Sequence, residues 1–276
     1  MTSAGGPSEG ENELWYGAGK SDARVAAFGL RLGGGGAHQS KTLMSSEISD
    51  LIRAGSTGDS DFRAKILEEN VLGKATASGR ESVFRNLSSL YGLSTVPPLT
   101  KVFFRLASLD VGSQALLALM IALARDPLLR ASAGTVIPAQ VGAPVQWPNF
   151  AERFNRLFPC RFSEKMVRSL SQNCASTWTQ TGHLEGKRKQ RKRVNPSASV
   201  AALAALIATV CGFSGPAILS SAWFQVLDLN PESAIDALRS AEARGMARVR
   251  AAGDVIEISV RQQMATTLGV PELEHV

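Results

Sequence analysis

Apolar residues recur at helical spacing through most of the chain and alternate only near its C-terminal end, so the pattern predicts a mainly α protein with little strand. Helices are predicted over 22–32 and 42–54, on either side of the glycine run 33–36, which reads as a hinge; Leu43, Ile48, Leu51 and Ile52 are the apolar anchors. A third helix covers 61–72 with Phe62, Ile66 and Leu67 inward. A fourth, over 76–91, places Val83, Phe84, Leu87, Leu90 and Tyr91 at i, i+1, i+4, i+7 and i+8, with Gly92 positioned to end it. Pro97 and Pro98 turn the chain into a fifth helix carrying Val102, Phe103, Leu106 and Leu109. Ser113 then caps an apolar helix over 115–124, and Asp126-Pro127 breaks it. The stretch 131–148, with Pro138, Pro144 and Pro148, reads as a connection. Asn149 caps a short helix with Phe150, Phe154, Leu157 and Phe158 on its apolar side.

Residues 161–194 combine pattern with charge. Ser163 is placed to N-cap a helix over 163–180, Met166, Val167, Leu170, Cys174 and Trp178 repeat at helical spacing, and Gly182 supplies a left-handed stop. The opposite face carries Lys165, Arg168, Gln172, Ser176 and Thr179, with no carboxylate after Glu164. Arg and Gln reach base edges whereas a carboxylate would repel phosphate, so such a face can approach DNA. Next, 183–186 and 191–194 are expected to pair as a short hairpin whose tip carries Lys187, Arg188 and Lys189. With Arg191, Lys192 and Arg193 these make a cationic run interrupted by Gln190 alone. Helix followed by basic hairpin is the order of a recognition helix and its wing. The plainer alternative is a solvated linker after an ordinary amphipathic helix.

The same order returns towards the C-terminal end. Asn195-Pro196 opens a helix running to Phe213, 217–227 is a second, and Asn230-Pro231 opens a third that ends at Gly245. Strands over 246–250 and 255–260 flank 251–254, with Ile256, Ile258 and Val260 sharing a face. The third helix carries Glu232, Asp236 and Glu242 against Arg239 and Arg244, the wrong balance for entering a groove, although Arg248 and Arg250 in its wing are cationic. This unit is therefore expected to pack, or to contact protein. The predicted organisation is a flexible tail over 1–16, an N-terminal helical domain over 17–145, two winged helix-turn-helix-like units with short β-hairpins over 146–195 and 196–263, and a tail over 264–276.

Charge sharpens the picture, since 161–194 holds nine Lys/Arg against two Glu while the whole 276-residue chain carries a net +6. The rest of the chain is close to neutral. Length and a 44% hydrophobic content suit two domains with a third small one. Cys160, Cys174 and Cys211 are an odd number without metal spacing, which fits a reducing compartment, and no signal pattern opens the chain, so a cytoplasmic location is expected. The apolar runs 115–124 and 200–213 are too short to span a membrane. Gly17-Ala18-Gly19-Lys20-Ser21 looks like the end of a phosphate-binding loop but has Leu14 where the pattern needs glycine, and Ser40-Lys41-Thr42 fails in the same way. His38, His183 and His275 have no partner at ligand spacing. No catalytic, cofactor or metal residue is assigned, and a non-enzymatic role with double-stranded DNA as partner is expected.

The run Ile66-Leu67-Glu68-Glu69-Asn70-Val71-Leu72, followed by Lys74, Thr76, Ala77 and an amphipathic helix from Gly79, resembles the paired helices of the BrxA family of BREX bacteriophage-defence systems. The helix pair over 24–54 and the helix over 162–184, ending in Gly-His-Leu, stand in corresponding places, so the resemblance spans 20–190. It implies a small, mainly helical, non-enzymatic DNA-binding protein built on helix-turn-helix elements, working beside a methyltransferase and other defence proteins. The basic run after Leu184 and the segment 196–276 are additions to that pattern, and no site residue is carried over. Other expectations from the residues are a transcriptional regulator of its own locus, an RNA-binding adaptor, a nucleotide-hydrolysing enzyme and a scaffold without nucleic acid. The oligomeric state is left open, and the C-terminal unit is a candidate contact for defence partners.

Overall fold

The computed structural model describes residues 14–252 and 255–276. Helix α1 (Asp22–Phe28) starts at Ser21, whose hydroxyl accepts from the Arg24 amide, and stops earlier than expected because Gly29 turns the chain with φ 113°. A 3-10 turn at Ala37–Gln39 is followed by α2 (Ser45–Arg53) and a π-helical turn at Ala64–Glu68. Thr76 caps α3 (Ala77–Tyr91) and left-handed Gly92 ends it, as the sequence pattern requires. Helices α4 (Pro98–Leu109) and α5 (Gln114–Arg125) come next.

A further helix, α6 (Pro127–Val136), occupies the start of the stretch read as a connection. Asp126-Pro127 starts this helix as well as ending the previous one. The Asp126 carboxylate accepts from the amides of Leu128 at 2.9 Å and Leu129 at 3.1 Å, and Pro127 lies in the first turn, where a missing N–H costs nothing. Residues 143–145 then run beside the hairpin that follows α7 (Trp147–Leu157) and α8 (Glu164–Gln180). That hairpin pairs β1 (Leu184–Glu185) with β2 (Gln190–Arg191). Pro144 bridges to Gln190, the Arg191 amide donates to the Ala143 carbonyl, and the Val145 amide donates to the Lys189 carbonyl. A boundary between 145 and 146 would cut through this hydrogen-bonded unit.

The C-terminal third contains α9 (Ala198–Val210), the short α10 (Pro216–Ser220) and α11 (Ala222–Gln225), and α12 (Pro231–Glu242). Antiparallel β3 (Arg248–Ala252) and β4 (Val255–Ser259) follow, in register Val249 to Ile258. The expected turn 251–254 is narrower than predicted, and its residues 253 and 254 lie outside the described residues. Residues 264–276 are not a tail. They complete α13 (Arg261–Leu268), closed by left-handed Gly269, and a 3-10 turn at Pro271–His275, burying Met264, Leu268, Val270, Leu273 and Val276. The expected N-terminal tail is corrected at its end too, since Trp15 is buried edge-on against Trp223 with ring centroids 4.7 Å apart. Residues 1–13 of that tail lie outside the described residues.

Two helices too apolar to face water organise the core. Every residue from Leu117 to Arg125 in α5 is buried, and so is all of α9 except half-buried Thr209. Alanines along α9 let α5 and α12 pack closely against it, and each large side chain buried on α5 contributes roughly 1.5–3 kcal/mol. Among the described residues no helix is long and apolar enough to cross a membrane. One cluster of buried apolar residues runs from Trp15 to Val276, so the units share a core.

Candidate nucleic-acid interface

Helix α8 presents three faces with three different tasks. Ser163 accepts from the Met166 amide at 3.3 Å and Glu164 stands in the first turn, where a carboxylate suits the helix dipole. One face buries Val167, Leu170, Cys174 and Trp178, and the Trp178 Nε1–H donates to Ser132 at 2.8 Å. A second face, Ser169, Asn173 and Thr177 at i, i+4 and i+8, grips the 3-10 turn at 37–39. Asn173 Nδ2 donates to the His38 carbonyl at 2.9 Å, Ser169 to the Gln39 carbonyl at 3.4 Å, and Thr177 Oγ1 lies 2.9 Å from His38 Nε2.

His38 is fully buried, and its Nδ1 lies 2.8 Å from Asp126 Oδ2, which also accepts the His38 amide at 3.0 Å. Burial acts to raise the Asp126 carboxyl, but the adjacent His38 and the amides around it outweigh this and hold it below the usual aspartate range. A side chain at Gly36 would collide with that carboxylate. The Asp126, His38 and Thr177 chain is thus a clamp that fixes α8 against α6 and the N-terminal region. No spacing rule points to it, because the partners of His38 stand 88 and 139 residues away. The residues 17–21 that imitate a phosphate loop are packed as well. The Gly17 amide donates to the Cys211 carbonyl, a Cβ at Gly17 would lie 2.5 Å from the Gly212 carbonyl oxygen, and Lys20 pairs with Asp22 at 2.9 Å.

The third face of α8 carries the candidate residues. Lys165, Arg168 and Gln172 are exposed, while Ser176 and Thr179 are half-buried, with the Thr179 hydroxyl donating to the Ala175 carbonyl at 2.7 Å. In the adjoining hairpin Lys187, Arg188, Lys192 and Arg193 are exposed and Lys189 is half-buried with φ 53°. Lys192 pairs with Glu185 at 2.8 Å on the surface. Gln172, Ser176, Lys187 and Lys189 meet with Gln146 and Trp147 around a cleft of 240 Å³ between α8 and the hairpin. Thr179, Lys192 and Arg193 line a separate depression of 570 Å³ that shares no lining residue with this cleft. Lys165 and Arg188 belong to neither. Trp147, missed as a functional candidate, is a lone aromatic in a proline-rich stretch; the structure sets the Arg168 guanidinium over its ring, 5.2 Å from the centroid.

Arg191 departs from the expectation that it contacts phosphate. It is 3% exposed, donates through Nε to the Val136 carbonyl at 3.0 Å, and forms a two-pronged ion pair with Asp228. Strand alternation explains this, because Gln190 and Lys192 point outward on either side of it. Asp228 also accepts the Val194 amide at 3.0 Å. Nearby, His183 is buried edge-on to Trp178, with Nε2 2.7 Å from the Val226 carbonyl and Nδ1 2.9 Å from Thr181 Oγ1. These partners assign the neutral Nε2–H form. Burial pushes its pKa down to about 4, with Arg191 acting in the same direction and the Val226 and Thr181 contacts and Asp228 opposing. The root of the basic hairpin is therefore fastened to the loop before α12. In the second unit, Glu232, Asp236, Arg239 and Glu242 are exposed on α12, and Arg250 lies 3.8 Å from Glu257 across the exposed hairpin.

Comparison of this chain with protein-family models, curated proteins and solved structures finds no match in any of the three.

Proposed function

We propose that the chain binds double-stranded DNA without catalysis, through α8 and the β1–β2 hairpin, as a component of a BREX-like bacteriophage-defence system. In this reading α6, the extended residues 143–145, α7, α8 and the hairpin form a winged helix-turn-helix unit, and α9 to β4 form a second. The observation that carries it is that Lys165, Arg168 and Gln172 of α8 and Lys187, Arg188, Lys192 and Arg193 of the hairpin are all exposed, with Gln172 and Ser176 of α8 meeting Lys187 and Lys189 in one cleft. Glu164 at the helix start and Glu185, already paired with Lys192, are the carboxylates of these two elements. The place in phage defence rests on the resemblance around 66–79 alone. The acidic α12 favours a protein rather than DNA as partner of the second unit, with other defence proteins as the candidates.

The test is a salt titration of binding to duplex DNA, single-stranded DNA and RNA by fluorescence anisotropy. Duplex DNA is expected to be preferred, with a log-log slope of roughly −0.9 per neutralised phosphate. Changing Lys187, Arg188, Lys189, Lys192 and Arg193 to Gln should flatten the slope by about 3, since alternating side chains of a hairpin cannot all reach one backbone. Unchanged affinity and slope in a folded variant would leave the run a solvated linker and overturn the reading. Costs of about 1–3 kcal/mol per mismatched base pair at one preferred site would instead identify a regulator of a specific operator.

A further inference from the structure

We propose that the cleft between α8 and the β1–β2 hairpin is a site for one sugar–phosphate unit of a DNA strand, with Trp147 packing on the sugar and Lys187 and Lys189 meeting the phosphate. This rests on the DNA-binding reading and assigns it a defined pocket. Trp147 is 36% exposed, whereas Trp15, Trp178 and Trp223 are at most 8% exposed. A large ring left facing water recovers transfer free energy when a ligand covers it. The Arg168 guanidinium sits over the indole, 5.2 Å from its centroid.

The lining matches a phosphodiester unit in its chemistry. Lys187 and Lys189 put two ammonium groups on the hairpin wall, Gln146, Gln172 and Ser176 offer neutral donors, and no carboxylate lines the 240 Å³ space. An acidic peptide would also answer to the lysines, but an aromatic wall beside a cationic one suits the alternation of sugar and phosphate along a strand. Trp147 opens α7 and Gln172 lies midway along α8, so the site spans two helices that pack directly against each other. Arg168 is exposed, lies over the Trp147 ring and is not part of the cleft lining.

Acrylamide quenching of tryptophan fluorescence tests this on the full chain, because the quenchable part of the signal belongs to Trp147 and Trp147→Phe removes it. Saturating duplex DNA, with saturation followed separately by anisotropy, should protect Trp147 from quencher. Trp147→Ala should weaken duplex binding about tenfold with an unchanged salt slope, since the lost contact is uncharged, while Trp147→Phe should retain most of the affinity. Lys187→Gln with Lys189→Gln should flatten the slope by about 2. DNA bound at full anisotropy with Trp147 still open to acrylamide, or Trp147→Ala binding like the parent, would overturn the cleft site while leaving DNA binding intact. Protection by an acidic peptide but not by DNA would overturn it in favour of a protein ligand. An absence of any anisotropy change with DNA would overturn both readings.

Discussion

The two helix-and-hairpin units repeat one order of elements and show different charge to solvent. In the first, α8 exposes Lys165, Arg168 and Gln172 and leads into a hairpin tip of Lys187, Arg188 and Lys189. In the second, α12 exposes Glu232, Asp236 and Glu242 beside Arg239, and the hairpin exposes Arg248 and Arg250 beside Glu257, so the charges nearly balance. Their inner sides differ as well. The basic unit adds polar contacts to its apolar side, the Asp126–His38–Thr177 chain at α8 and the Arg191–Asp228 pair at its hairpin, whereas α9, α10 and α11 of the second unit are packed mainly through Ala, Leu, Ile, Trp and Phe side chains. The contrast teaches a division of labour. Like charges crowded on the hairpin repel one another, and the hairpin's root is pinned by directional bonds to Val226 and Asp228 of the second unit.

The largest effect expected from breaking this arrangement is at Arg191. Removing either member of a buried ion pair leaves the other charge unmatched, so Arg191→Gln or Asp228→Asn should lower stability by roughly 3–5 kcal/mol in urea denaturation. Arg188→Gln, on the exposed tip of the same run, should stay within about 0.5 kcal/mol of the parent. Equal stability losses for Arg188 and Arg191 would mean that the hairpin is not fastened through Asp228.

What could be read from the sequence follows the same division. Local signals were legible in part: Ser163 and Asn230 cap helices and Gly92 stops one, and the spacing of α3 and α8 marks Leu87, Leu90, Tyr91, Val167, Leu170, Cys174 and Trp178 as buried, with Val83, Phe84 and Met166 half-buried. The helices expected to be capped by Asn149 and Asn195 are instead capped at Gln146 and Ser197. A hairpin follows α8 as the pattern suggests, with its second strand at 190–191 rather than 191–194, and of the stripe Lys165, Arg168 and Gln172 are exposed while Ser176 and Thr179 are half-buried. Helix α6 was hidden because Asp-Pro is both a breaker and an N-cap with a first-turn proline, and only tertiary burial of Leu128, Leu129 and Val136 decides between them. Helix α13 has just three buried residues, Met264, Ala265 and Leu268, too few to stand out, although Gly269 marked its end. Arg191 reads like its five cationic neighbours. Its different fate depends on Asp228, and no spacing rule connects positions 37 residues apart.

A smaller effect concerns pH at the seam between the units. The His183 pKa falls from its ordinary 6.5 to about 4 in the folded protein, mainly through burial. Folded His183 therefore stays neutral while the unfolded chain takes up a proton. Stability is complete above pH 6.5, falls as pH drops below it, and stops falling from this source near pH 4. Between pH 7.5 and 5 the loss should be about 2 kcal/mol in denaturant unfolding. His183→Gln should start less stable and show that much less pH dependence across the same range. The carboxylates held low in the fold, Asp126 among them, lose their contribution at more acid pH, through and below the ordinary aspartate value of 3.8. An identical pH profile for parent and variant would remove His183 from the seam's energetics.

The smallest expected effect sharpens the comparison most directly, because it asks whether the second unit faces DNA at all. Glu232 and Asp236 are exposed on α12, and Asp236 lies 3.8 Å from Arg239, a surface pairing of little energetic weight. If α12 stands away from the bound duplex, its carboxylates are separated from phosphate by more than the screening distance of about 8 Å at physiological salt. Glu232→Gln with Asp236→Asn should then change duplex affinity less than about twofold and leave the salt slope unaltered. Arg248→Gln with Arg250→Gln should flatten the slope by less than about 1, because Arg250 is already drawn to Glu257. The same substitutions at Lys187 and Arg188 should flatten it by about 2. A marked gain in affinity on neutralising α12 would show that its carboxylates had been repelling phosphate at close range. Both units would then lie on the same DNA, and the division between a DNA-facing unit and a supporting one would have to be given up.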